Sequence, residues 1–129
     1  MNLFAHHATA AAYDTTKTIT FKGVISKLEW TNPHVHVQVE VKGEGDITEV
    51  WDVEFSSPGG VIVAGLSKDM LNSGTIVTIK GYPGKIASPK GPSTESGNGS
   101  TNSTPPHRSA CATEVRLQNG FVTKFVVGI

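Results

Sequence analysis

Two histidines, His34 and His36, lie in a segment that alternates strictly between valine and polar residues, 34–41. This alternation predicts a β-strand with one buried face, so both imidazoles lie on the outward face. The simplest register of the following hairpin places His36 opposite Asp52 and His34 opposite Glu54. The pattern therefore predicts two imidazoles beside two carboxylates on one outer surface.

Two interpretations of this surface remain open. The four side chains could form cross-strand polar pairs on a solvated sheet face, each of modest energy. Alternatively, imidazoles beside carboxylates could bind a divalent transition metal. Two histidines separated by one residue, as His34 and His36 are, form a weak metal-binding motif. The presence of further ligands therefore decides between the two interpretations.

His6 and His7 could supply those ligands. If cleavage exposes His6, its free amine and its imidazole can chelate one ion, and His34 or His36 would complete a three-nitrogen site. Such a site suits copper(II) before zinc. If residues 1–5 stay attached, the amine is missing and His6-His7 is a terminal dipeptide without that role.

Other side chains give weaker indications. Trp30 and Trp51 are either core aromatics or, if the barrel has an open mouth, the lining of an apolar ligand cavity. Cys111 is in phase with Thr113 and Val115, which predicts a small buried side chain. No glycine-rich phosphate loop or nucleophile elbow is present, so the sequence favours a protein that is not an enzyme.

Composition narrows the classes of partner. The chain has 129 residues, a formal net charge of zero and one cysteine, so it cannot form an internal disulfide. Lysines and arginines are scattered, which disfavours nucleic-acid binding. No apolar stretch reaches the roughly 18–20 residues that a membrane-spanning helix needs.

The pattern of strands and turns predicts an all-β protein, a small antiparallel OB-like β-barrel of about six strands with one short helix after the third. Gly23 stands where the first strand changes its apolar phase, which predicts a bulge or bend there. Ser57-Pro58 predicts a helix start. The expected strands are 18–30, 34–41, 47–55, 75–82, 111–117 and 121–127, and the expected helix is 61–66.

The chain divides into a short segment and one domain. Residues 1–16 form an N-terminal segment, of which 1–5 could be a signal-peptide remnant or an engineered start. Residues 17–129 are expected to form a single β-barrel domain. Within it, 86–108 is rich in Ser, Thr, Gly, Asn and Pro and is predicted to be a long flexible loop.

Several short motifs resemble an uncharacterised bacterial family of small exported proteins, a domain of unknown function. The quoted motifs are His6-His7-Ala8, Tyr13-Asp14, Phe21-Lys22-Gly23, Glu29-Trp30-Thr31-Asn32-Pro33-His34, Ser57-Pro58 and Gly81-Tyr82. The resemblance implies a periplasmic or secreted location and a mature start at the two histidines. It also implies that His6, His7 and His34 are family features, whereas His36 departs from relatives that carry an aromatic or apolar residue there. It brings no activity.

Three functional hypotheses follow. The first is a periplasmic, non-enzymatic binding or accessory domain that binds copper or zinc through His6, His7, His34 and His36. The second is a structural or interaction module that assembles with itself as a homo-oligomer or with a partner protein. The third is a carrier or enzyme for a small apolar ligand held near Trp30 and Trp51.

Overall fold

The computed structural model describes residues 12–43, 45, 47–85 and 107–125. Within these residues the chain forms six strands and two short helical elements. They are β1 (Ile19–Glu29), β2 (His36–Lys42), β3 (Thr48–Glu54), α1 (Pro58–Val63), a 3-10 helix (Lys68–Leu71), β4 (Ile76–Pro83), β5 (His107–Leu117) and β6 (Val122–Lys124). The predicted order of strands and helix is confirmed.

Five of the strands close into a barrel. β1 pairs antiparallel with β2 and β4, β2 with β3, and β4 with β5. The barrel closes where β3 runs parallel to β5, and β6 extends the sheet beyond β5. A five-stranded barrel with a helix between the third and fourth strands is the OB-like arrangement. The predicted fold class is therefore confirmed, with one parallel contact in an otherwise antiparallel sheet.

The core lies inside the barrel and under α1. The strict alternation of β2 places its valines inward, and Val53 of β3 lies opposite Val37 in the core. Burying such a side chain stabilises the fold by about 1.5–3 kcal/mol. Leu66 and Leu71, which follow α1, cover the barrel from one side. The residues that are at most 2% exposed are Ile25, Val35, Val37, Val39, Val53, Phe55, Val61, Leu66, Leu71, Val77, Ile79, Ala110, Ala112 and Val115.

The bend of β1 lies later in the strand than the sequence predicted. The register between β1 and β2 shifts between Ile25 and Lys27, not at Gly23. Gly23 instead lets two strands approach closely, since a Cβ atom there would overlap the backbone carbonyl of Glu40. Gly81 plays the same part beside the carbonyl of Cys111, where the register of β4 and β5 shifts.

α1 begins at Pro58, as the Ser57-Pro58 signal predicted, and three residues before the expected range 61–66. The Ser57 hydroxyl accepts a hydrogen bond from the Gly60 N–H at 3.1 Å, and Pro58 occupies the first helical position. The helix ends at Val63 because Gly65 turns the chain with a φ of 101°. The capping signal at Ser57-Pro58 was therefore a better guide than the apolar run that followed it.

Residues from the predicted loop 86–108 and from the predicted N-terminal segment 1–16 pair with strands of the barrel. β5 already includes His107 and Arg108, which were expected in the loop, because they pair with β3. The other residues of that predicted loop, 86–106, lie outside the described residues. Tyr13, in the expected N-terminal segment, forms a β-bridge with Gly84. Among the described residues, no helix combines the length and the apolar character that crossing a membrane requires.

Candidate functional site

A chain of three polar side chains joins the N-terminal segment to the outer side of the β2–β3 hairpin. The Tyr13 hydroxyl donates a hydrogen bond of 2.7 Å to Oε1 of Glu54. The other carboxylate oxygen, Oε2, lies 3.4 Å from Nε2 of His34. Tyr13 is 9% exposed, so its hydroxyl needs this acceptor. The carboxylate of Glu54 is thus fixed by one oxygen and presents the other to an imidazole.

The backbone fixes the imidazole of His34 from its other side. Nδ1 of His34 lies 2.8 Å from the carbonyl oxygen of Phe55, and because a carbonyl can only accept, Nδ1 carries the proton and donates it. Just beyond the ends of β2 and β3, the Phe55 N–H donates to the Val35 carbonyl and the Val35 N–H donates to the Ser56 carbonyl, which places the Phe55 carbonyl beside the ring. Nε2 of His34 therefore points at Glu54.

Two unprotonated atoms would then face each other. In the neutral ring with a proton on Nδ1, Nε2 has a lone pair and no hydrogen. A carboxylate oxygen 3.4 Å away cannot donate to it. A cation between the two atoms would make this contact attractive. His34 is 43% and Glu54 22% exposed in their side chains, so such a cation can enter from solvent.

His36 forms a second pair with a carboxylate beside the first. Its Nδ1 lies 3.4 Å from Oδ1 of Asp52. The hydrogen bond to Asp52 raises the pKa of His36, burial of the ring opposes that rise, and the charges of Asp52, Glu54 and Glu29 add to it. We call the four side chains His34, His36, Asp52 and Glu54 the histidine face.

The two histidines contact the predicted carboxylates, but β2 and β3 pair in a different register from the predicted one. His36 pairs across the strands with Glu54, and Gln38 with Asp52, so the predicted opposition of His36 to Asp52 is wrong by two residues. A shift of two keeps every side chain on its predicted face. The imidazoles reach the predicted carboxylates diagonally, which side chains of this length allow.

The two tryptophans have separate surroundings. Trp51 stacks on Phe21 with ring centroids 4.3 Å apart, and the Arg108 guanidinium lies 5.8 Å from its ring. Trp30 packs against the core with the Lys68 amine 5.7 Å from its ring. A cavity of about 540 Å³ lies elsewhere, lined by residues such as Met70, Ile76 and Leu117 and by neither tryptophan. The role of Trp30 and Trp51 in holding an apolar ligand stays a prediction.

Cys111 lies next to Glu54 in the parallel β3–β5 pairing and is 7% exposed, as predicted for a small buried side chain. Burial, and then the charge of Glu54, raise the pKa of its thiol to about 12. The thiol is therefore protonated at neutral pH and is a poor nucleophile.

Sequence reasoning missed the role of Tyr13. Its residue type and its position six residues before the start of β1 gave no indication of a contact with β3. Burial and the hydrogen bond to Glu54 raise its pKa well above the usual range, so the hydroxyl remains a donor. A buried tyrosine must find an acceptor, but only the folded topology shows which carboxylate it finds.

Metal binding needs more ligands than the histidine face supplies. Among the described residues, no group of three or more His, Cys, Asp or Glu side chains is placed to hold one ion. The other two predicted ligands, His6 and His7, lie outside the described residues. A metal site at the histidine face would therefore be a half-site that needs donors from elsewhere.

A family model described as a family of unknown function, DUF6152, matches residues 1–93. The matched residues include all four predicted histidine ligands, Tyr13 and the two carboxylates, and they end before β5. No curated protein matches the chain.

Proposed function

The chain belongs to the family DUF6152, and we propose that this member is a non-enzymatic accessory domain that binds a divalent transition metal. The ion would lie between Nε2 of His34 and Oε2 of Glu54. One observation carries the proposal: Nε2 of His34 and Oε2 of Glu54 face each other at 3.4 Å, and a hydrogen bond on the far side of each group orients it. Hydrogen bonds to a backbone carbonyl and from a tyrosine are the supports that metal ligands usually have.

The separation of the two atoms suits a tetrahedral ion. Ligands at about 2.0–2.1 Å from a tetrahedral zinc ion lie roughly 3.3 Å from each other, close to the observed 3.4 Å. Adjacent ligands of a square-planar copper(II) ion would lie about 2.9 Å apart. The described pair thus favours zinc, whereas the sequence-based expectation ranked copper first because it counted the terminal nitrogens.

The missing donors would come from His6 and His7. His7 precedes Tyr13 by six residues, and Tyr13 is itself hydrogen-bonded to Glu54. Six residues can span at most about 20 Å, so the chain length allows an imidazole of this segment to reach the half-site. His36 would support the site through its charge and its contact with Asp52, without being a ligand in the described arrangement.

The proposal includes an exported, periplasmic location, which the resemblance of the motifs to small exported proteins supports. Fractionation of the source cells with an antibody against the barrel tests this part by itself. Protein found only in the cytoplasmic fraction would contradict the location without bearing on metal binding.

Calorimetric titration with zinc and with copper(II) tests the metal site. We expect stoichiometric binding by protein that begins at His6, with a dissociation constant raised at least about 100-fold in His34→Ala and in Glu54→Gln. The matched control is His107→Ala, since His107 lies on β5 and forms no ion pair with another described residue.

Three results would contradict the proposal. They are no stoichiometric uptake of either metal, unchanged binding in His34→Ala, and equal loss in His107→Ala. Circular dichroism of each variant shows whether it has kept its fold, so that loss of binding and loss of structure are distinguished.

A further inference from the structure

The outer face of the β1–β4–β5–β6 sheet is strongly basic. The cross-strand pairings place Lys22 opposite Thr78, and Thr78 opposite Arg116. In the next row Lys80 lies opposite Glu114, and Glu114 opposite Lys124. We call this surface the basic face. In these two rows its charged residues are Lys22, Lys80, Arg116, Lys124 and Glu114, four cations and one carboxylate.

The cations of the basic face form no ion pair with the part of the chain that the structure describes. Lys22, Lys80, Arg116 and Lys124 are exposed, and none of them forms an ion pair with another described residue. Although Glu114 stands between two lysines in the register, it approaches neither within salt-bridge distance. In these two rows an excess of three positive charges therefore remains, within a chain whose formal net charge is zero.

The shape and the side chains of this face indicate what it can bind. The cations stand on four neighbouring strands, so they spread over a surface about 14 Å wide and do not follow a line. Tyr82, the aromatic residue of β4, is half-buried beyond Lys80, so among the described residues no exposed aromatic side chain lies between the cations to stack a nucleic-acid base. Two partly exposed valines, Val24 and Val122, provide apolar area, but the buried aromatic residues typical of protein interfaces are missing from this face. A planar array of negative charges is the complement.

We propose that the basic face binds the anionic phosphate headgroups of a membrane surface. Each lysine or arginine near such a surface strengthens binding about fivefold, so four cations together give a reversible association that salt weakens. Around the barrel, β4 lies opposite the β2–β3 pair. Binding through the basic face therefore directs the histidine face away from the bilayer and into solution. The proposal does not depend on metal binding.

Sedimentation of the full chain with vesicles tests the proposal. We expect binding to phosphatidylglycerol vesicles at low ionic strength, little binding to phosphatidylcholine vesicles, and release at about 0.5 M salt. Replacing Lys22, Lys80 and Lys124 with alanine together is expected to weaken binding roughly 100-fold.

The control removes the same charge from other sides of the protein. Lys17, Lys68 and Lys85 are exposed and lie outside the four strands of the basic face, so their triple alanine variant should keep most of the binding. Far-UV circular dichroism and thermal melting show that both triple variants are folded.

Three outcomes would overturn the proposal. The first is no binding of wild-type protein to anionic vesicles. The second is an equal loss of binding in both triple variants, which would make the association a matter of total charge. The third is self-association of the wild-type chain that only the basic-face variant abolishes, which would assign the face to a second copy of the chain.

Discussion

The histidine face and the basic face differ in whether their polar side chains contact one another. On the histidine face each imidazole lies 3.4 Å from a carboxylate oxygen, and one carboxylate is also held by Tyr13. On the basic face the cations have no ion-pair partner among the described residues. Both faces arise from the same alternation of inward and outward residues in one barrel.

This difference separates two uses of an exposed sheet. Side chains that are oriented by one another and by the backbone hold a small group at a fixed place, because their positions are already set before it binds. Long lysine side chains without partners adapt to an extended surface and bind it by charge. The barrel thus offers a fixed site on one side and an adaptable surface on the other.

The largest expected effect on stability comes from removing the central carboxylate of the histidine face. Glu54→Ala leaves the buried Tyr13 hydroxyl without its acceptor, so we expect a loss of about 2–3 kcal/mol in the free energy of unfolding. Urea denaturation followed by tryptophan fluorescence measures it. The control Glu40→Ala, on the exposed outer side of β2, should change stability by less than about 0.5 kcal/mol. Equal effects of the two substitutions would remove the distinction between the faces.

Removing the hydroxyl of Tyr13 while keeping its ring should lower the free energy of unfolding by less than Glu54→Ala does. Tyr13→Phe retains the buried aromatic ring and removes the hydrogen bond to Glu54, so we expect a loss of about 1–2 kcal/mol. Tyr82→Phe is the matched control, because the Tyr82 hydroxyl forms no hydrogen bond with another described residue. If both variants were as stable as the wild-type protein, the Tyr13–Glu54 contact would contribute nothing to the fold.

The pair of His36 and Asp52 predicts a pH dependence of stability. Because the hydrogen bond to Asp52 raises the pKa of His36 in the folded protein, its stabilisation is fully present below the unfolded value of 6.5. It is lost as the pH rises through the folded-state pKa. Unfolding measured across this range should show falling stability with rising pH. In Asp52→Asn that dependence should be weaker, and an unchanged slope would show that another group titrates.

The smallest expected effect belongs to the basic face. Lys80→Ala removes a cation without an ion pair, so the free energy of unfolding should stay within about 0.5 kcal/mol of the wild-type value. Chemical denaturation at low ionic strength gives the most sensitive comparison, because salt screens exposed charges. A loss above 1 kcal/mol would reveal a structural contact of Lys80 and weaken the contrast with Glu54.

The sequence predicted the fold because its signals were local. Alternation fixed which side chains of β2 and β3 face the core, and Ser57-Pro58 marked the start of α1. It did not predict the parallel contact of β3 with β5 that closes the barrel, since that contact joins residues far apart in the chain. It also misplaced the bend of β1, because the role of Gly23 depends on how closely β2 approaches.

The candidate site was predictable in part. The facing of His34 and His36 and their carboxylate partners followed from alternation, which a register error of two residues does not disturb. The orientation of Nε2 of His34 was not predictable, because it depends on a backbone carbonyl of the neighbouring strand. Nor was the contact of Tyr13 with Glu54, which depends on how the N-terminal segment crosses the barrel.

Anomalous X-ray scattering from crystals of zinc-loaded protein tests the central claim most directly. The account predicts a peak at the zinc absorption edge about 2.0–2.2 Å from both Nε2 of His34 and Oε2 of Glu54. The hydrogen bonds from Nδ1 of His34 to Phe55 and from Tyr13 to Glu54 should be kept. A crystal that shows zinc only at other residues, or none after loading at a stoichiometric concentration, would contradict the account.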